Sequence, residues 1–544
     1  MTAADLILIN GNIVTMDPLT PAVAALAVAG GRILALGSNE EMKALAGPQT
    51  RVVDAGGRLV LPGFQDTHIH LQDSGCDYGT NANLDAATSI EELQDALARF
   101  AATHHGPWVR GVGWYTGIFT EHNLDRHVLD AAVPDRPCYI LASDGHNACL
   151  NTKGCEAIGL VKGTEDPFNG HFVVDAEGVP TGMLFEEATN WATNRMPEVT
   201  DEEFSAGVRY GQALCNRHGI TGVLDALVME RHARVYKKLA EDGELTVRVC
   251  ATAKVFPEEA TAEALARVEE LRRNNDLEMF RIHSAKFFLD GVMENRTGVM
   301  IEPYSDAIGG NAPLMFGHEQ VKELFTAFDA ARFQIHVHVI GDGAVRAALD
   351  GLEAAREKNG AWPSLHQLAH IQFIDPADIP RFRTLGAVAN VQSLWARNEP
   401  SVTDVAVPMG GPERSRWMYA FRSLIDAGAQ YTLSSDWGVS TLNPFQIMET
   451  AITRQPPAKN GAVEPFLPEQ RLTRKESVMG YTVNAAASAW RAESTGSLAP
   501  GKYADIIVLD RDIFTCDVYD IGDTEVQLTL LGGREVHRAT GFTG

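Results

Sequence analysis

Residues 60–70 combine an apolar run, a Pro-Gly turn and two closely spaced histidines. The stretch has the sequence Val-Leu-Pro-Gly-Phe-Gln-Asp-Thr-His-Ile-His. Because alternate side chains of an extended strand point to the same face, His68 and His70 can offer ring nitrogens to one metal ion. Paired histidines also occur on ordinary strands, so this spacing alone leaves metal binding and a structural role equally open.

Further candidate ligands stand at the ends of other apolar runs. His336 and His338 form a second pair with the same spacing, His370 ends a short apolar run, and Asp436 follows an apolar run and two serines. His336 and His338 share one face of a strand, so periodicity does not choose between them. The alternative role for Asp436 is a helix N-cap, because aspartate is common there.

Lys286 is a further unusual position, since it lies inside the otherwise apolar stretch 284–291. A lysine among apolar strand residues is costly to bury as a cation. A structural explanation is a pair with a carboxylate such as Asp290 or Glu186. The position therefore indicates either a buried ion pair or a lysine with altered chemistry.

These residues need a scaffold that brings distant strand ends together, and residues 61–485 alternate strand-like with helical stretches. The strand-like runs include 222–227, 247–251, 282–289, 334–340, 368–373, 388–392 and 431–435, and the helical ones include 258–274, 319–331 and 343–358. Repeated βα units at this length favour an α/β fold with a parallel sheet closed into a (β/α)8 TIM barrel. A doubly wound open sheet is the alternative, but no G-x-G-x-x-G motif follows a strand and opens a helix. Catalytic groups of a barrel sit where its strands end, which is where the candidate ligands stand.

Both ends of the chain have the pattern of short strands separated by glycine turns. The runs are 5–10, 12–16, 25–29 and 32–36 near one end, and 506–509, 526–531 and 534–537 near the other. We expect residues 1–60 and 486–544 to form one small discontinuous β-sandwich domain beside the barrel. Residues of about 75–215 exceed what one or two βα units need, so we expect an insertion there that serves as a lid or one wall of the substrate pocket.

Composition limits the partners of this 544-residue chain. Its formal net charge is −25, which argues against nucleic acid or an anionic membrane and is explained most simply by solubility. Seven dispersed cysteines without a Cys-x-x-Cys pair are typical of reduced thiols in a cytoplasmic protein. The first residues lack the pattern of a secretory signal, and no apolar run approaches about 18–20 residues. We therefore expect a cytoplasmic protein without a membrane span.

The order His-x-His, Lys, His, His, Asp resembles the amidohydrolase superfamily of metal-dependent hydrolases. Four stretches resemble its YtcJ-like branch, which includes N-substituted formamide deformylase. They are Asp144-Gly-His-Asn-Ala, Phe287-Phe-Leu-Asp-Gly, His338-Val-Ile-Gly-Asp and Ser435-Asp-Trp. The resemblance extends over nearly the whole chain, and residues 483–486 and 496–509 match the return into the terminal domain.

The resemblance implies a role for each matching residue. His68 and His70 would bind the first, more buried metal ion, and His338 and His370 would be ligands from strands 5 and 6. Asp436 would contact the metal and take a proton from its bound water. Lys286 would be the lysine that some members carboxylate, and its carbamate would bridge two ions. Such an anion beside two cations would also remove the cost of burying the lysine.

Zinc suits histidine and carboxylate ligands with an open position, although manganese, iron and nickel also bind such sites. The resemblance implies two ions if Lys286 is carboxylated and one if it is not. His146 resembles the substrate-side histidine of the family and would orient the scissile carbonyl; a structural loop histidine is the alternative. Glu186 is either a pocket residue or a helix-start carboxylate. Four aromatic residues are candidates for pocket lining or for core: Trp114, Tyr115, Trp395 and Trp437.

The expected activity is hydrolysis of a non-peptide carbon–nitrogen bond, of the amide or N-formyl type, in a small-molecule substrate. A cyclic amidine deaminase and an ester or lactone hydrolase are alternatives, because the same centre can serve each. A non-catalytic binding protein is the alternative of another class, and the intact ligand set argues against it. The resemblance also implies a homodimer as one option for the oligomeric state.

Overall fold

The computed structural model describes residues 3–143, 145, 147–167, 170–457 and 461–544. These residues divide into two compact units. One unit contains Met1–Leu71 and Gln212–Gly544, and the other contains Gln72–Gly211. Among the described residues, no helix has both the length and the apolar character that crossing a bilayer would require.

Eight parallel strands form the central sheet of the first unit, and we number them β1 to β8 in chain order. They are Phe64–Ile69 (β1), Ile220–Val228 (β2), Arg248–Lys254 (β3), Phe280–Phe288 (β4), Gln334–Val339 (β5), Gln367–His370 (β6), Val388–Val391 (β7) and Gln430–Leu433 (β8). Each strand pairs in parallel with the next one along the chain. Just past β8, the Asp436 N–H donates to the His68 carbonyl and the His70 N–H donates to the Trp437 carbonyl, both at 2.8 Å. The predicted (β/α)8 barrel is therefore confirmed.

Helices follow the barrel strands, and the three helical stretches expected from periodicity are present. The helices after β2 to β6 are Glu230–Glu241, Thr261–Asn274, His318–Ala330, Asp342–Asn359 and Ile379–Leu385. Those after β7 and β8 include Val407–Ser415, Phe421–Asp426, Pro444–Thr453, Arg474–Tyr481 and Val483–Ser488. In Thr261–Asn274 the buried side chains are Ala264, Val268 and Leu271, which recur at the spacing of one helix face.

The chain ends form two packed sheets, as the sequence predicts. One sheet has the order Arg32–Gly37, Ala25–Ala29, Ala4–Ile9, Ala46–Asp54. The other has the order Arg534–Arg538, Val526–Leu531, Ile506–Leu509, Leu59–Pro62, Asn12–Val14, Ala22–Val23. Buried residues of both sheets, such as Leu26 and Val508, share one hydrophobic core. Leu59–Pro62 extends two residues past the expected domain boundary, because its backbone pairs with Asn12–Val14 and Ile506–Leu509 before Gly63 leads into β1.

The inserted unit has a six-stranded sheet of its own. Its strand order is Gly170–Val174, Pro180–Glu186, Asn147–Leu150, Cys138–Ala142, Val109–Trp114, Ala82–Asn83. The helices of this unit are Leu71–Thr80, Ile90–Thr103, Arg126–Ala132, Thr152–Ile158 and Glu187–Thr193, and helix Asp201–Arg217 begins in it. Trp114 is fully buried in the core of this unit and packs edge-on against Phe119. Trp114 is thus a core residue rather than an exposed pocket residue, whereas Tyr115 beside it is 48% exposed.

Candidate metal centre

Three candidate ligands from distant parts of the chain meet at the carboxyl end of the barrel. His68 lies on β1, His370 is the last residue of β6, and Asp436 follows β8. Each offers a ligand atom, and these atoms lie within 4.8 Å of one another. All three residues are buried. The strand order explains the meeting, because successive parallel strands end at one rim of the barrel.

Asp436 is the residue around which the histidines gather. Its Oδ1 lies 3.2 Å from His70 Nε2 and 3.6 Å from His68 Nε2, and its Oδ2 lies 3.9 Å from His370 Nδ1. Asp436 and His370 both have left-handed backbone conformations, with φ of 52° and 77°. Such conformations in residues other than glycine cost about 1–3 kcal/mol and are concentrated at functional sites.

The charges of the centre are those that metal ligands require. Burial raises the pKa of Asp436, but its contact with His70, together with the nearby His370 and Lys286 side chains, outweighs burial and lowers this pKa to about 2. Burial holds the pKa values of His68 and His370 well below the usual value. At neutral pH these three residues therefore offer an ionised carboxylate and two neutral rings with lone pairs. Burial lowers the pKa of His70 as well, but its contact with Asp436 outweighs burial and raises this pKa above its usual value.

The donor set fits a divalent cation. Neither ring nitrogen of His370 has a hydrogen-bond partner among the residues that the structure describes, although the residue is only 2% exposed. An unsatisfied buried polar group is costly, and a bound cation would satisfy this one. Imidazole and carboxylate donors suit zinc, and the same donors also accept neighbouring transition metals.

His336 and His338 take different places in the structure. His336 Nε2 lies 2.8 Å from His68 Nδ1, so His336 holds His68 from behind while His68 Nε2 faces Asp436. His338 Nε2 lies 3.1 Å from the Gly291 carbonyl, to which it can only donate. Its lone pair is then on Nδ1 in the neutral ring. The His338 ring centroid lies 4.5 Å from that of His370, and its ligand role stays a prediction.

Lys286 is fully buried beside the first histidine. Its Nζ lies 3.4 Å from His68 Nε2 and 4.6 Å from the centroid of the Phe288 ring. Burial lowers the lysine pKa to about 7. The suggested ion pair with Asp290 is wrong, because that carboxylate accepts the backbone N–H groups of residues 299, 340 and 341 instead. A lysine that is easily neutral and lies next to a ligand is suited to carboxylation, which consumes the neutral amine.

Two further residues support the centre: Trp395, which the sequence analysis named, and Asp66, which it did not. Trp395, expected either in a pocket or in the core, stacks on His370 with 5.1 Å between ring centroids and an interplanar angle of 9°. Asp66 was not among the expected site residues. Its carboxylate accepts the N–H groups of His68 and Ser435, each at 3.2 Å, and so connects β1 to the segment that carries Asp436. The sequence signal for it was an aspartate two residues before the His-x-His pair.

The remaining predicted site residues lie elsewhere or outside the description. His146 and Asp144 lie outside the described residues. Glu186 directly precedes helix Glu187–Thr193, in keeping with the helix-start alternative. Trp437 follows Asp436 and is 6% exposed.

A barrel with histidines and a carboxylate at the carboxyl rim is the architecture of a (β/α)8 enzyme whose strand ends carry the chemistry. The family model for amidohydrolases matches residues 51–537, and the chain belongs to this family.

Relatives of this chain span almost its full length. N-substituted formamide deformylase from Arthrobacter pascens is 26% identical, covering 99% of this chain and 99% of its own. Putative amidohydrolase YtcJ from Bacillus subtilis is 27% identical, covering 97% and 98%. The fold is shared with the crystal structure of an uncharacterized metal-dependent hydrolase from Pyrococcus horikoshii, at a TM-score of 0.76 and 24% identity over 94% of this chain and 99% of that one. The resemblance inferred from the motifs is therefore confirmed.

Proposed function

We propose that this protein hydrolyses a carbon–nitrogen bond, of the amide or N-formyl type, in a small-molecule substrate with the help of a divalent metal ion, most simply zinc. The observation that carries the proposal is the convergence of His68, His370 and Asp436 within 4.8 Å at the rim of the barrel. His70 joins them through its 3.2 Å contact with Asp436. The N-formyl type is chosen because a full-length relative is a formamide deformylase.

The side chains have distinct tasks in this proposal. His68, His70, His370 and Asp436 would hold the ion, which when bound supplies a Lewis acid and a water of lowered pKa. Asp436 accepts the proton of the attacking water and returns it to the leaving nitrogen. Its carboxylate is ionised at neutral pH, which is the protonation state that a proton acceptor needs. Trp395 keeps bulk water from one face of His370.

The number of metal ions depends on whether Lys286 is carboxylated. We propose that its amine reacts with carbon dioxide, forming an N–C bond and losing a proton, to give a carbamate anion. Lys286 Nζ lies 3.4 Å from His68 Nε2, so a carbamate formed on it would supply an anionic oxygen donor next to a candidate ligand. With an unmodified lysine, the proposal retains a single ion.

The test is an Asp436→Asn variant of the zinc-loaded protein, assayed on a panel of N-formyl, N-acyl and cyclic amide compounds with released amine or ammonia as readout. Asn keeps the shape but cannot accept a proton, so we expect activity to fall by about 100-fold or more. Asp329→Asn is the matched control, because Asp329 is equally buried but bonds His366 and Trp362 away from the centre. Full activity in Asp436→Asn would refute the assigned role.

Other results separate the alternative functions. A second panel of cyclic amidines, esters and lactones, read by released ammonia or acid, covers the alternatives, and activity only on this panel would replace the proposed substrate class with one of these. A protein that binds no metal after expression in zinc-supplemented medium, and that turns over nothing on either panel, would indicate a binding protein. Substrate turnover therefore tests the bond type, and metal content tests metal binding.

A further inference from the structure

A cavity in the inserted unit lies on one face of its sheet. Strands Val109–Trp114 and Cys138–Ala142 pair in parallel, with Arg110 opposite Tyr139 and Val112 opposite Leu141. Because alternate residues of a strand share a face, these four side chains emerge side by side. All four line a cavity of about 210 Å3.

The other walls of this cavity come from a helix and a loop of the same unit. Helix Leu71–Thr80 contributes Cys76 and Asp77, and the segment after helix Glu187–Thr193 contributes Met196 and Val199. The cavity therefore has both polar and apolar walls, and its polar lining residues are Asn81, Thr193 and Glu198 besides Asp77, Arg110 and Tyr139. No residue of the candidate metal centre lines it.

The polar groups of the cavity have unused hydrogen-bonding capacity. The Tyr139 hydroxyl has no partner in the described part of the chain, although the residue is only 6% exposed. Asp77 forms no hydrogen bond or ion pair with any described residue, and burial raises the pKa of its carboxyl to about 7. One guanidinium nitrogen of Arg110 donates a hydrogen bond to the Pro197 carbonyl at 2.6 Å. The structure thus holds a carboxyl, a hydroxyl and a guanidinium group around one space. The charge of Arg110 lowers the pKa of Asp77, but no hydrogen bond or ion pair joins the two side chains among the described residues.

We propose that this cavity binds a small α-amino acid with an apolar side chain, such as leucine. Its ammonium group would bond the Asp77 carboxylate and the Tyr139 hydroxyl oxygen, and its carboxylate would bond the free edge of Arg110. Its side chain would contact Leu141, Met196 and Val199. A simple amine leaves Arg110 unpaired and a simple acid leaves Asp77 unpaired, so the zwitterion matches both charges. This site lies beyond the proposed hydrolytic function and does not depend on it.

Calorimetric titration of the full chain tests the proposal with three probes of similar size: L-leucine, 3-methylbutylamine and 4-methylpentanoate. We expect L-leucine to bind saturably, and the amine and the acid about tenfold or more weakly, because each lacks one charge-assisted bond. Asp77→Asn should weaken L-leucine binding about tenfold or more, and Tyr139→Phe severalfold. Asp95→Asn, an exposed acid on helix Ile90–Thr103 of the same unit, should leave binding unchanged.

Amino acids also coordinate metal ions, so the titrations are repeated with chelator-treated protein and with Asp436→Asn. Binding that persists there and disappears in Asp77→Asn supports the cavity. Absence of saturable L-leucine binding to folded wild-type protein would overturn the proposal, as would equal binding by folded Asp77→Asn. If Asp77→Asn fails to fold, Tyr139→Phe decides, because the isosteric ring keeps the packing and unchanged L-leucine affinity in it would contradict the site. Loss of binding on chelation alone would place the probe on the metal instead.

Discussion

His336 offers the sharpest test of how the centre is built. It lies on β5, is fully buried, and contacts His68 Nδ1 through Nε2 at 2.8 Å. Replacing it with leucine removes that contact without adding a charge. His68 Nδ1 then has no partner at a position where the ring is 1% exposed. We expect His336→Leu to weaken metal binding although His336 itself need not touch the metal.

The size of the effect follows from the loss of one buried partner. An unsatisfied buried polar atom costs about 1–3 kcal/mol of folding free energy. Loss of a group that orients a metal ligand typically lowers metal affinity by about 10–100-fold, which is about 1.4–2.8 kcal/mol. His336→Gln retains an amide that can accept from His68 Nδ1, so it should recover much of the affinity.

Metal affinity is measured by competition with a chromophoric chelator, and stability by urea unfolding of the metal-free protein. His366→Leu is the matched control. His366 is 6% exposed and bonds Asp329 at 3.0 Å and the Ile335 N–H at 2.9 Å, away from the ligands. Its loss should reduce stability by a similar amount and leave metal affinity unchanged. Equal metal affinity in wild type and His336→Leu, or an equal loss in His366→Leu, would refute the positioning role.

Three other changes have defined outcomes. Chelation should abolish activity and lower the melting temperature, because the buried nitrogens of His370 lose their partner, and added zinc should restore both; activity that survives complete metal removal would contradict the proposed function. Lys286→Gln should reduce bound metal from two ions to one by elemental analysis and remove the carbamate 13C signal after labelling with 13CO2; an absent signal in wild type would indicate the one-ion centre. Asp505→Asn should destabilise the protein by about 1.5–3 kcal/mol in urea unfolding, because buried Arg248 loses two charge-assisted bonds, at 3.0 and 3.2 Å, and keeps only one carboxylate partner, the exposed Glu278 at 3.6 Å; a change below about 0.5 kcal/mol would contradict this.

The barrel was predictable because its strands are short apolar runs that alternate with helical stretches along the chain. A short apolar run between two such stretches is typical of a buried parallel strand. β7 was expected at 388–392 and found at Val388–Val391, and β4 was expected at 282–289 and found at Phe280–Phe288. Ala46–Asp54 was missed because its single buried residue is Val53, next to its end, and its strand character comes from pairing with Ala4–Ile9. Nonlocal pairing of this kind leaves little trace in a local pattern.

The candidate site was predictable for the residues that combine a reactive type with a strand end, as His68, His370 and Asp436 do. Periodicity gave His336 and His338 the same standing, since both face the barrel interior. Their different contacts depend on depth: His336 lies level with Lys286 across the β4–β5 pair, and His338 lies one pleat higher, near Gly291. Depth along the barrel axis is set by strand register, and the local pattern of one strand does not show which residue of its neighbour lies opposite.

Register itself is held by polar side chains beneath the centre. The Asn390 amide on β7 donates to the Thr67 carbonyl at 3.0 Å and to Gln367 Oε1 at 2.8 Å, and Gln367 donates to Gln334 Oε1 at 3.0 Å. Thr67 immediately precedes His68, and Gln334 lies two residues before His336. Apolar side chains at these positions would tolerate a slip of one strand past another, whereas these directional bonds are lost on slipping. The chain therefore fixes the relative height of His68 and His336 through amide hydrogen bonds that lie outside the candidate ligand set.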